Sequence, residues 1–232
     1  MTISIMSLKI KGWRKIISWT FWSILAILFL VYFIRVATFE DAYYREKEGS
    51  ERAETAAIEE EVELIEEKPS ETEIAEYIVA ADMPRYLSVA KLGVSKARII
   101  PVGINISGEL GTPNNIFDTG WYDASAKPGT GGTMLLDGHN GGPHVHGIFK
   151  DLPTLTAGDI IEIERGDGTV FKYSVVKNVT VALSDSDAEM TTAMHSPEPG
   201  KESITIISCT GEWSQTQRTY LSRQFTYAVI VE

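Results

Sequence analysis

Three patterns of hydrophobic and polar positions follow one another along the chain. Residues 16–34 form one apolar run of 19 positions without a charge, rich in aromatic rings (Trp19, Phe21, Trp22, Phe29, Tyr32, Phe33). As a helix rising ~1.5 Å per residue it spans roughly 28 Å, enough for one membrane crossing. Residues 40–76 are almost wholly polar, with acidic clusters such as Glu59-Glu60-Glu61 and Glu66-Glu67. After Pro84 come short apolar or alternating runs bounded by Gly, Pro and Asp, which predict eight strands, over 86–89, 97–102, 133–137, 160–164, 169–176, 179–183, 204–209 and 224–231. Gly166-Asp167-Gly168 turns the fourth of these into the fifth as a hairpin. Helix is predicted only in short pieces, over 114–118 and 147–155. Many short strands with so little helix to cover a sheet face imply an all-β fold, a closed or nearly closed barrel.

Charge follows the same three divisions. Residues 1–39 carry +5, residues 40–76 carry −11, and residues 77–232 carry −5. A net charge of −11 leaves no basic face for phosphates, so nucleic acid is an improbable partner. Four of the five bases of the first segment precede the apolar run, and the positive-inside rule then leaves the tail in the cytoplasm and the rest outside. A cleaved signal peptide fits less well, because cutting after Ala37 puts Arg35 where a small residue is needed. The resulting organisation is a cytoplasmic tail (1–15), a single transmembrane anchor (16–34), an acidic extracellular linker (35–82) and an outer domain (83–232). Dense like charges keep the linker solvated.

Cys209 is the only cysteine, so no disulfide forms within the chain. It ends the β-branched run Ile204-Thr205-Ile206-Ile207-Ser208 and precedes Thr210-Gly211-Glu212, where a buried strand opens into a loop. Such a position is rigid behind and accessible in front, which suits a nucleophile, although a lone buried thiol is often inert. A thiol nucleophile needs a proton partner. His139 stands at a matching place, after Met134-Leu135-Leu136-Asp137-Gly138; His144 and His146 follow in the same loop, and His195 lies among Ser and Pro. Zinc held by these histidines and Cys209 is conceivable, but none has an i, i+4 partner on a helix and no second Cys exists. Acyl transfer also needs a donor for the developing oxyanion. Arg223, at the start of the last strand, and Arg218, five residues earlier in a polar loop, are the available cations.

Taken together, a His after a strand and Gly, the strand end Thr205-Ile206-Ile207-Ser208-Cys209 about 70 residues on, and an Arg some 14 residues beyond resemble a sortase. Gly120-Trp121-Tyr122, the glycine turn at 128–132 and Gly147-Ile148-Phe149 are similar too, and the likeness extends from Pro84 to the end. Ile206 stands where the family usually has Leu, and Ser208 where Thr is usual. The resemblance implies an eight-stranded sortase-type barrel and a membrane-anchored cysteine transpeptidase, with Cys209 as nucleophile, His139 as acid/base and Arg223 as the substrate- and oxyanion-binding group. It implies partners as well: surface proteins with a C-terminal sorting signal of the Leu-Pro-x-Thr-Gly kind, and an amine acceptor of the cell wall. The Gly-Trp-Tyr segment favours a class D, E or F type over the pilin-polymerising type. No cofactor is called for; calcium serves some sortases, but the acids here form no calcium-loop signature. The competing reading is a non-catalytic extracellular module that binds a ligand or metal, with Cys209 structural.

Overall fold

The computed structural model describes residues 64–105 and 108–231. The tail, the expected membrane helix over 16–34 and most of the linker lie outside them. Among the described residues no helix is long and apolar enough to cross a membrane.

Eight strands close into a barrel in the order β1-β2-β3-β4-β7-β8-β6-β5. They are β1 (Pro84–Val89), β2 (Val94–Val102), β3 (Thr119–Tyr122), β4 (Thr133–Gly138), β5 (Ile160–Arg165), β6 (Val170–Ala182), β7 (Ser203–Ser214) and β8 (Thr219–Ile230). The β2/β3 and β4/β7 pairs are parallel and the remaining pairs antiparallel. Side chains alternate across a strand, so each strand feeds two layers. Met134, Leu136, Ile204, Ile206 and Ala228 point inward to join Leu87, Ile99, Trp121, Ile161 and Tyr173 in the barrel core. Leu135, Ile207, Phe225 and Tyr227 point outward into a second cluster, capped by Ala193 of the helix α2 (Ser186–Ala193). Thr205 Oγ1 donates to the Ala193 carbonyl at 2.9 Å and ties that helix to β7.

The strand count is as expected, but its composition differs. The runs at 169–176 and 179–183 are one strand, β6, whose pairing with β8 slips between Val175 and Lys177. That bulge shifts the alternation: Val175 faces the core, whereas Val179 and Val181 face the outer cluster. The eighth strand is instead β3, which the hydrophobic pattern did not predict; Thr-Gly-Trp-Tyr is short and does not alternate, and it is held by parallel pairing to β2 and antiparallel pairing to β4. The predicted helix over 114–118 is a turn that bridges to Ile65, and 147–155 holds only turns and a 3-10 helix at Leu152–Thr154. The α2 helix was not predicted, since only Met190 and Ala193 of its eight residues face the outer cluster, too few to show as an apolar stripe.

The last part of the expected linker is bonded to the barrel. Ile65 exchanges backbone bonds with Asn114 and Ile116, and the capped helix α1 (Glu71–Glu76) follows. The Tyr77 hydroxyl donates to the Ile99 carbonyl at 2.5 Å, and the Tyr86 hydroxyl to the Ile74 carbonyl.

Candidate active site

The end of β4 and the middle of β7 and β8 form the floor of a groove of about 770 Å³; β7 runs on to Ser214, so Cys209 lies within a paired strand and not where the strand opens into a loop, as the sequence suggested. Parallel register sets Asp137 beside Ile207 and Gly138 beside Ser208, and antiparallel register sets Cys209 opposite Arg223. The outward series on β4 runs Leu135, Asp137, then His139 just past the strand end; on β7 it runs Thr205, Ile207, Cys209. The run 204–207 is covered by the core on one face and by the α2 cluster on the other, so it is β-branched and buried, with the one hydroxyl, that of Thr205, bonded to Ala193. Where that cover ends, Cys209 is half-buried and lines the groove with His139, Arg223, Asp137, Phe225 and Met190.

Local packing fixes the His139 backbone. Phe149 lies so close to Gly138 that a Cβ there would stand 2.7 Å from the ring. The Phe149 N–H donates to the His139 carbonyl at 3.0 Å. The Ser208 hydroxyl donates to the Gly138 carbonyl at 2.9 Å, stapling β7 to the end of β4 immediately before Cys209 and His139. A role for that hydroxyl was not read from the sequence; a polar residue closing an otherwise apolar run is the signal for it.

The imidazole Nε2 lies 2.8 Å from the Pro113 carbonyl oxygen. A carbonyl only accepts, so Nε2 carries the proton in the neutral ring and Nδ1 keeps the lone pair. Burial lowers the His139 pKa, and the bond to Pro113 partly offsets this. Burial pushes the Cys209 thiol above its usual value near 9.0; the charge of Arg223 pulls it back and Asp137 adds to the rise. Burial thus favours the neutral form of both the thiol and the imidazole.

Arg223 is held by its own hairpin. Its Nη1 donates to the carbonyls of Tyr220 and Ser222 at 2.9 and 3.1 Å, and its Nη2 to Thr219 Oγ1 at 3.2 Å. Of the five guanidinium N–H groups, Nε–H and one on Nη2 have no partner among the described residues. Arg218 sits exposed at the β7–β8 turn with φ +50 and does not line the groove. His144, His146 and His195 are likewise exposed and outside the groove lining. Among the described residues no three His, Cys, Asp or Glu side chains converge as metal ligands.

Asp137 is a groove residue that the sequence reading used only as part of a strand end. It is 7% exposed, and burial pushes its carboxyl pKa up to about 7 although the Thr112 hydroxyl donates to Oδ2 at 2.7 Å. An acid at the outward parity of an apolar run was the available signal.

The family model of the sortase domain matches residues 87–231. No curated protein matches the chain by sequence. Among solved structures, sortase C of Streptococcus pneumoniae aligns at 16% identity and TM-score 0.47, over 72% of this chain and 75% of that one. A sortase D5 transpeptidase of Clostridium perfringens aligns at 20% identity and TM-score 0.45, over 71% and 91%. A lid mutant of sortase A from Corynebacterium diphtheriae aligns at 21% and 0.48, over 69% and 76%.

Proposed function

The chain belongs to the sortase family of cysteine transpeptidases, and from that premise we propose that Cys209, His139 and Arg223 carry out its acyl transfer on surface proteins bearing a C-terminal sorting signal of the Leu-Pro-x-Thr-Gly kind. The observation that carries this reading is the outer-face register, with Cys209 opposite Arg223 and His139 at the end of the adjoining strand, all lining one groove.

In the proposed reaction, Cys209 Sγ gives its proton to His139 Nδ1 and attacks the Thr carbonyl carbon of the signal. The C–S bond forms, and the oxyanion is met by the unpartnered N–H groups of Arg223. Collapse breaks the Thr–Gly C–N bond, and Nδ1–H protonates the departing glycine amine. An amine of a cell-wall precursor then loses its proton to Nδ1 and attacks the thioester; the C–S bond breaks, and Nδ1–H passes that proton to the departing Sγ, restoring the thiol and the neutral ring. All three functional groups are side chains, so the proposed cycle uses no cofactor. Residues 16–34 anchor the enzyme in the cell membrane with the catalytic domain outside, where both substrates are met.

The test is a sorting-signal peptide incubated with the full chain and its variants, with mass spectrometry of the thioacyl adduct. Wild type should form the adduct and release the glycine-initiated fragment. Cys209→Ala should do neither, and His139→Ala should cleave at least about 10²-fold more slowly. Cleavage that survives Cys209→Ala would overturn the assignment.

A further inference from the structure

Three polar side chains of the groove, Asp137, His139 and Ser208, bond across to another segment, and of these Asp137 is only half satisfied. It is nine-tenths buried, its Oδ2 accepts the Thr112 hydroxyl at 2.7 Å, and its Oδ1 has no hydrogen-bond partner among the described residues. Leaving a buried carboxyl oxygen unpaired costs stability, so a compensating role is expected of it. Space for that oxygen is made by glycine: β3 sets Gly120 opposite Asp137, and a Cβ on Gly120 would collide with Oδ1.

Thr112 precedes Pro113, whose carbonyl accepts the His139 Nε2–H. The span holding both is anchored by backbone bonds on either side, Gly111 N–H to the Gly103 carbonyl at 2.8 Å and Ile65 N–H to the Asn114 carbonyl at 2.9 Å. Between those anchors Pro offers no N–H, and the Thr112 hydroxyl supplies a side-chain tie to β4. That tie ends on Asp137, two residues before the histidine that the adjacent carbonyl contacts. One strand and one strap thus meet twice within a few ångströms, once through Asp137 and Thr112 and once through His139 and Pro113.

We infer that Asp137 is a positioning residue: through the Thr112 hydroxyl it holds the Pro113 carbonyl against His139 Nε2, and so commits Nδ1 of that ring to proton transfer. Without the tie the carbonyl is free to drift, the ring loses the acceptor that selects its tautomer, and the fraction with Nδ1 unprotonated falls. The inference rests on the reading of His139 as the proton carrier.

Two measurements test it on the full chain in detergent. The first is 15N NMR of the imidazole rings, tractable with four histidines in the chain. The second is steady-state cleavage of the sorting-signal peptide. Wild type should show His139 as the Nε2–H tautomer. Thr112→Val, an exposed change that keeps shape and removes the hydroxyl, should mix in the Nδ1–H tautomer and lower kcat roughly 10- to 100-fold with KM within about twofold. Asp137→Ala should do the same. Asp137→Asn should recover most of kcat and the Nε2–H signal, since its amide oxygen still accepts from Thr112. A wild-type tautomer and kcat in Thr112→Val overturn the inference, even if Asp137→Ala fails to fold. So does an Asp137→Asn variant no better than Asp137→Ala. Because the NMR signal does not depend on turnover, failure of the catalytic reading, seen as full activity in His139→Ala, is distinguishable from failure of the tie.

Discussion

The inner and outer faces of β4, β7 and β8 are built from alternate residues of the same three strands, yet they are held by different forces. Inward, Met134, Leu136, Ile204, Ile206 and Ala228 are fully enclosed by other apolar side chains. Outward, Leu135, Ile207, Phe225 and Tyr227 are apolar beneath α2, but the next positions of the same face carry Asp137, Cys209 and Arg223. Burial stabilises the first face. On the second it works against the charged forms, raising Asp137 and Cys209 and lowering His139. The groove therefore concentrates groups whose protonation is easily shifted, on strands whose other face supplies the packing to hold them still.

Separating the two faces by mutation is the most severe challenge to this comparison. Ile206 is fully buried in the core and lies between Thr205 and Ile207 of the outer face. Ile206→Ala should cost about 2–5 kcal/mol in urea or thermal unfolding, and Ile206→Val only about 0.5–1.5 kcal/mol. Folded Ile206→Ala protein should still cleave peptide at close to the wild-type kcat. A kcat loss larger than the stability loss would mean that the inner face tunes the chemistry directly.

Within the outer face, the two arginines sharpen the contrast between a fixed and an exposed cation. Arg223 is tied at three points and faces Cys209; Arg218 is exposed at the hairpin turn. Arg223→Ala should lower kcat about 10²-fold or more, close to 2.7 kcal/mol, as expected for loss of an oxyanion donor. Arg223→Lys should also be impaired, because an ammonium cannot keep the forked bonds to the hairpin while offering donors to substrate. Arg218→Ala should stay within a few-fold of wild type. An inactive Arg218→Ala with a normal Arg223→Ala would reverse the proposed roles.

The sequence was most legible where alternation and burial agree. β7 and β8 were visible because their apolar runs are long, and their meeting at Cys209 and Arg223 follows from hairpin register. β3 was hidden, since Gly120 contributes no side chain and its partners come from distant segments. The break in β6 was read as two strands because a bulge changes the facing of Val179 without ending the strand. At the groove, the strand was expected to end at Asp137, with Gly138 opening the loop. Pairing of Gly138 with Ser208 overrides that preference and carries β4 one residue further. The tie from Asp137 to Thr112 spans 25 positions and has no periodic signature, so only the folded chain reveals it.

The smallest effects are expected in the ionisation of Cys209, where the charges of the outer face can be weighed against burial. Cys209 is the only thiol, so iodoacetamide reports on it alone, and the thiolate is the reacting form. Burial raises its pKa above the usual value near 9.0, so the rate of alkylation should keep rising between about pH 7 and about pH 10 instead of levelling in between. Arg223 favours the thiolate, so Arg223→Ala should move the rise to higher pH. Asp137 disfavours the thiolate, so Asp137→Asn should move it to lower pH, by less than the arginine change because the arginine is the stronger influence. A rate that is already flat from about pH 7 upward would show a thiolate stabilised at rest. The contrast would then fail at its centre, because burial would not be the dominant influence on the proposed nucleophile.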